Sequence, residues 1–248
     1  MRLANAKPLM LMALLLCAAA LMQATTVWSP SSVVSNTGGN FATCCDITVA
    51  TTNQNGLLTH FTSGSTDWDT YFAGNPLHTY FPFVSGPCAA SASSTTDCEW
   101  FASSGVTTST IILDFGFSIP LNKLALWNED ADGIASMVVS ASDDVTFGSG
   151  VSSLGTFNPA LSTYQANYGA QIFSFSLTTA RYVRLVVTAP GSPNDANSPT
   201  TVSMGQIAFS STIPEPGSWM LMGLGLAAVG LGRWRWQRRM VKLRSIPQ

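Results

Sequence analysis

The sequence predicts an all-β sandwich set between two terminal address segments. Helical periodicity is nearly absent from residues 25–212. The apolar runs there are short and are separated by Gly, Ser, Asn, Asp and Pro. Several of them alternate with period two, so each carries an apolar face that a second layer must cover.

Residues 1–24 read as a signal peptide to be set aside from the fold. Arg2 and Lys7 give a basic start, residues 8–22 carry no charge, and Ala18, Ala19, Ala20 and Ala24 provide a small-residue cleavage zone. The segment has no polar face at helical period, so it does not read as an ordinary core helix.

The strand candidates follow at 110–115, 121–127, 136–141, 172–177, 181–188 and 205–209. In 172–177, Phe173, Phe175 and Leu177 oppose Ser174 and Ser176; in 181–188, Val183, Leu185 and Val187 oppose Arg184 and Thr188. Many short strands without helices make a sandwich the economical solution.

All 13 acidic residues lie between Asp46 and Glu215, where only Lys123, Arg181 and Arg184 are basic, so the exported part carries about −10. That balance argues against nucleic acid as a partner, because phosphate neutralisation needs clustered cations. Arg181 and Arg184 are expected to pair with carboxylates across the sheet. Cys44, Cys45, Cys88 and Cys98 remain once the signal leaves. An even number in an oxidising compartment points to two disulfides. A Cys44–Cys45 bond would be strained, so each is expected to reach Cys88 or Cys98. There is no Cys-x-x-Cys, and His60 and His78 stand at no ligand spacing, so zinc is not expected.

Two places invite a ligand. Trp68, Tyr71 and Trp100 sit in polar, loop-like sequence, where rings either stack on sugar faces or fill the core of a cysteine-stapled subdomain. Glu129, Asp130 and Asp132 precede Gly133 in a tight acidic turn, which either offers hard oxygen ligands to structural calcium or is simply solvated. The EF-hand spacing is absent. No catalytic signature is present: no Gly-x-Ser-x-Gly, no His-Glu-x-x-His and no Gly-rich phosphate loop.

At the C-terminus, Pro214-Glu215-Pro216 stops regular structure, 217–232 is uncharged and mostly apolar, and Arg233, Arg235, Arg238 and Arg239 follow. As a helix, 217–232 would be about 24 Å long. That approaches the roughly 30 Å hydrocarbon core once Trp219, Trp234 and Trp236 are counted as interface anchors. The positive-inside rule keeps the arginines and the tail 241–248 cytoplasmic and puts the domain outside.

This order of parts at 213–240 resembles the PEP-CTERM sorting signal. The resemblance implies an exosortase-type transpeptidase as partner and a Gram-negative bacterium that secretes exopolysaccharide. The precursor would be anchored in the inner membrane, then cut near Pro214–Pro216 and passed to the cell surface or extracellular matrix. Ile213 and the long tail depart from the commonest pattern.

Within 25–212, TIILDFGFSIPLNKLALWN, MVVSASDDVTF, LGTF, TTARYVRLVVT and GQIAF resemble the discoidin-like, coagulation-factor C-type domain. That family implies a jelly-roll β-sandwich of the galactose-binding superfamily that binds glycans or lipid headgroups with loops at one end. The expectation is therefore an exported, non-enzymatic surface or matrix protein, binding or embedded in exopolysaccharide. A small secreted polysaccharide-active hydrolase and a structural matrix component without a specific ligand are the alternatives.

Overall fold

The computed structural model describes residues 24–41, 46–80, 99–129, 132–191 and 201–213. The four cysteines, Asp130, the signal up to residue 23 and the whole segment from Pro214 lie outside the described residues, as do the expected disulfides and the span at 217–232. Among the described residues, no helix is long and apolar enough to cross a membrane.

The strands are β1 (Ala24–Trp28), β2 (Ser32–Asn36), β3 (Leu77–His78), β4 (Trp100–Phe101), β5 (Thr108–Trp127), β6 (Ser136–Ser142), β7 (Ser152–Phe157), β8 (Tyr168–Gly169), β9 (Gln171–Thr188), β10 (Ser203–Met204) and β11 (Gln206–Ile213). Seven of them form a sheet of order β1-β11-β5-β9-β6-β7, with β2 added to β5. The pairings β5–β9, β6–β9, β6–β7, β2–β5 and β11–β5 are all antiparallel.

Two pairs of expected strands are single long ones. Residues 110–115 and 121–127 both belong to β5, and 172–177 and 181–188 both belong to β9. The β5–β9 register skips between Asp114 and Ile119 and again between Leu121 and Lys123. Such bulges bend a strand, so both strands pass from one layer of the sandwich into the other. Their first and last parts then face each other. Ile111, Leu113, Val183, Leu185, Met137 and Val139 from one layer share a core with Leu121, Leu124, Leu126, Ile207 and Phe209 from the other. The Phe115 and Phe209 rings meet edge to face at 5.2 Å.

The alternation read in 181–188 holds: Val183, Leu185 and Val187 are fully buried. That in 172–177 holds only in part. Phe173 and Phe175 pack on the core, but Leu177 is 61% exposed. The second register skip inserts extra residues of β9 opposite Asn122, and this lifts Leu177 off the apolar face.

The layer holding β11 and the second half of β5 is buried on both sides. Ala125, Trp127 and Ala208 look outward and are covered by Val27, Leu57, Phe61, Trp68, Tyr71 and Tyr168. The covering segment contains one short helix, α1 (Trp68–Ala73), that the sequence reading did not anticipate. Asp67 caps it by accepting from Thr70 N at 2.8 Å. The spacing of Trp68, Tyr71 and Phe72 then turns three rings to one side, toward Trp127.

Candidate functional site

The bend of β5 and β9 builds one end of the sandwich from residues far apart in sequence. Gly116 sits at φ +83°, a conformation costly for other residues, and its N–H donates to Asp114 Oδ1 at 2.6 Å. Asp114 also receives the Arg181 fork, Nε to Oδ1 at 2.8 Å and Nη2 to Oδ2 at 2.9 Å. The expected cross-sheet pairing thus holds for Arg181. Its guanidinium holds the Asp114 carboxyl below the usual carboxylate range, and the carboxylate in turn raises the arginine. Arg184 instead reaches Ser140 Oγ at 3.2 Å and lies 4.5 Å over the Phe147 ring.

Phe117, the next residue, is 56% exposed. One ring packs on it, and the chain is tied down one residue on. Trp28 meets its ring edge to face at 5.6 Å, and the neighbouring Ser118 donates to Asp143 Oδ1 at 2.5 Å. Asp143 Oδ1 also accepts from Arg181 N at 2.9 Å. A lone exposed apolar side chain is ordinary. An aromatic ring fixed by a bulge, a second ring and a side-chain hydrogen bond one residue away is a preformed ledge.

Beside it, Ser142, Asp143, Asp144, Ser149, Ser152 and Thr179 line an open cleft of about 330 Å³. Asp144 organises its wall, accepting from Thr146 N, Thr146 Oγ1, Gly148 N, Ser149 N and Ser149 Oγ at 2.7 to 3.2 Å. The Thr146 contacts chiefly pull its carboxyl down to about 2. The end of the sandwich therefore offers an aromatic face, hydroxyls and ionised acceptors.

The depressed carboxyls set an acid response. Asp67, Asp114 and Asp144 bind protons less readily folded than unfolded. Their contribution is full above the unfolded value of about 4 and is lost as pH falls through the folded values. Asp114→Asn and Asp144→Asn are each expected to flatten the fall in Tm between about pH 4 and pH 2. Unchanged slopes in both variants would mean these hydrogen bonds do not form in solution.

The sugar-stacking candidates from the sequence lie elsewhere. Trp68, Tyr71 and Trp100 are buried and cannot offer a face to a ligand. Trp68 and Tyr71 fill the layer over β5, and the Tyr71 hydroxyl donates to Thr59 O at 2.6 Å. Burial pushes that phenol well up, so it stays protonated. Trp100 closes the main core, its indole N–H shared between Gly39 O at 3.0 Å and Asn40 Oδ1 at 3.1 Å. Apolar bulk outweighed polar neighbours in sequence, because those neighbours cap and turn the chain around the rings.

The described residues of the acidic turn are not solvated. Glu129 and Asp132 are buried, and Glu129 Oε2 accepts from Asp132 N at 2.6 Å, Gly133 N at 3.2 Å and Ser203 Oγ at 2.9 Å. This carboxylate closes its own turn and ties it to β10. Asp130 is outside the described residues, and among those residues no group of three or more His, Cys, Asp or Glu could hold a metal ion. Phe117 and Asp143 are candidate site residues that the sequence reading did not place in a site. The available signal was an aromatic residue beside Gly116 in the stretch joining two strand candidates.

The described strands make an antiparallel β-sandwich with one polar end. The chain carries a PEP-CTERM protein-sorting motif at residues 212–239. It therefore begins inside β11, one residue before the segment that the sequence delimits. No curated protein matched the chain. Among solved structures, one similar domain is chitosan-binding module 1 of a Paenibacillus sp. IK-5 chitosanase/glucanase. It shows 18% identity over 77% of this chain and 96% of that one, with a TM-score of 0.38. The CBM32-1 and CBM32-2 domains of Clostridium perfringens ZmpB give 9% identity over 73% of this chain and 33% of that one, with a TM-score of 0.43. The C-terminal domain of a Bacteroides fragilis chitobiase gives 20% identity over 47% and 74%, with a TM-score of 0.36. Likeness at this level says nothing about ligand.

Proposed function

We propose that this chain is an exported surface or matrix protein that binds glycan through its sandwich and is delivered by an exosortase-type transpeptidase of a Gram-negative bacterium. The sorting motif that begins at the end of the last strand carries the reading. The Phe117 ledge and the polar cleft support the binding part: a sugar ring stacks its C–H face on an aromatic and gives its hydroxyls to fixed acceptors.

Pull-down on immobilised neutral polysaccharide tests binding, with Phe117→Ala as the diagnostic variant. Loss of one stacking ring is expected to weaken retention roughly tenfold, equivalent to about 1.4 kcal/mol. Equal retention of both proteins would remove the ledge from the site, and no retention of either would remove the glycan reading. Intact mass of the surface fraction tests delivery: a chain ending near Pro214–Pro216 is expected, and a retained tail in every fraction would leave a plain anchor.

A further inference from the structure

The cations of the exported domain are few enough to follow one by one, and their contacts bear on the chemical class of glycan. Between Asp46 and Glu215 they are Lys123, Arg181 and Arg184. Lys123 sits 3.6 Å from Asp69 Oδ1 and 6.0 Å from the Trp68 ring centre, on the layer covered by α1. Arg181 has its fork on Asp114 and its plane 4.9 Å from the Tyr182 ring. Arg184 lies along the face of the other layer, between Ile112 and Ser140 in register and against Phe147. Of the histidines, His78 is fully buried, and His60 is not among the residues that line the cleft.

The cleft itself presents the reverse charge. Its charged lining residues are Asp143 and Asp144, and the remainder are serines, a threonine, Ala141 and Gly150. The whole exported part carries about −10. A uronate, sulfate or phosphate group brought to this end would meet two carboxylates and no cation among the residues that line the cleft, the Arg181 fork being engaged by Asp114. Burying it there would leave its charge uncompensated.

We infer that this end of the sandwich selects uncharged glycan and rejects polyanionic polysaccharide, the serine and threonine hydroxyls and the Asp143 carboxylate serving sugar hydroxyls beside Phe117. The inference rests on the glycan-binding reading above. It also gives a reason for the position of Arg181. With its guanidinium closed on Asp114, the arginine shapes the bend and does not attract anions.

The test uses the full chain in detergent, with Arg233, Arg235, Arg238 and Arg239 changed to Gln so that the terminal cluster does not itself capture polyanions. Binding to a neutral dextran and to alginate, a polyuronate, is measured at low ionic strength and at about 0.5 M salt, where the Debye length falls below about 5 Å. Dextran is expected to bind at least tenfold more tightly than alginate at low salt, with the ratio shrinking at high salt. Thr179→Lys, which adds a cation to the cleft wall, is expected to raise alginate binding several-fold. Alginate binding as tight as dextran in the unmodified domain overturns the charge selectivity and leaves glycan binding standing. No binding to either polymer overturns the glycan reading, and the selectivity with it.

Discussion

Replacing Trp127 by alanine is expected to lower the unfolding free energy by about 3–5 kcal/mol, the usual cost of a large cavity in a core. Trp127 closes β5 and is fully buried. Its ring lies 5.7 Å from Phe72 and shares a cluster with Val27, Trp68, Tyr71, Tyr168 and Ala208. Its indole N–H donates to Pro76 O at 2.9 Å, so the truncation also strands a buried carbonyl. For a domain of this size, each kcal/mol lowers Tm by roughly 2–4 °C, so a fall of roughly 10 °C is expected. Trp127→Phe, which keeps much of the bulk but not the N–H, should fall in between. Leu177→Ala, at an exposed position, should stay within about 0.5 kcal/mol. Urea midpoints at unchanged m-value would read all three. A Trp127→Ala loss below that of Trp127→Phe would show that the covering segment does not pack on β5.

Glu99→Ala is expected to cost about 1–3 kcal/mol by a different route, the stranding of a buried polar group. Glu99 is fully buried, takes a hydrogen bond from the Tyr168 hydroxyl on Oε1, and has His78 Nδ1 3.5 Å from the same oxygen. The His78 and Tyr168 rings stack at 5.2 Å, and their strands β3 and β8 pair residue for residue. One carboxylate therefore joins three segments: β3, β8 and the residue leading into β4. His78 Nδ1 lies 2.7 Å from Thr79 O, so that nitrogen carries the proton and the carbonyl accepts it. Removing the carboxylate takes the acceptor from the buried Tyr168 hydroxyl and the anion from beside His78, while both rings stay in place. Tyr168→Phe alone should cost less, because it removes one partner and leaves a smaller debt of unmatched groups. The Glu99→Ala and Tyr168→Phe losses should be strongly non-additive in the double variant. Additive losses would mean that the hydroxyl and the carboxylate do not interact in solution.

These two cases mark what sequence reading reaches. The strand at 181–188 is legible because its period-two pattern records a surface with one wet face, and Val183, Leu185 and Val187 are buried accordingly. The sorting segment is legible because its signal is linear: prolines, an apolar run and arginines in order, matched at 212–239. The aromatic cluster around Trp68 is legible as chemistry but not as placement. Rings surrounded by Asp, Asn and Gly look exposed along the chain, yet those neighbours supply the cap of α1 and the turns that fold the rings inward.

The sequence by itself determined the fold class, the terminal sorting signal and the charge of the exported domain. Each is a local pattern or a sum, and none of the three depends on which distant residues meet. Only the tertiary structure decided that two pairs of expected strands are single strands, because a bulge changes the direction of a strand without ending its ladder. It also decided which rings are covered and which one stands at the bend. Phe117, Trp28, Asp143 and Arg181 come from four separate stretches of chain and become neighbours only when β5 and β9 fold over the core.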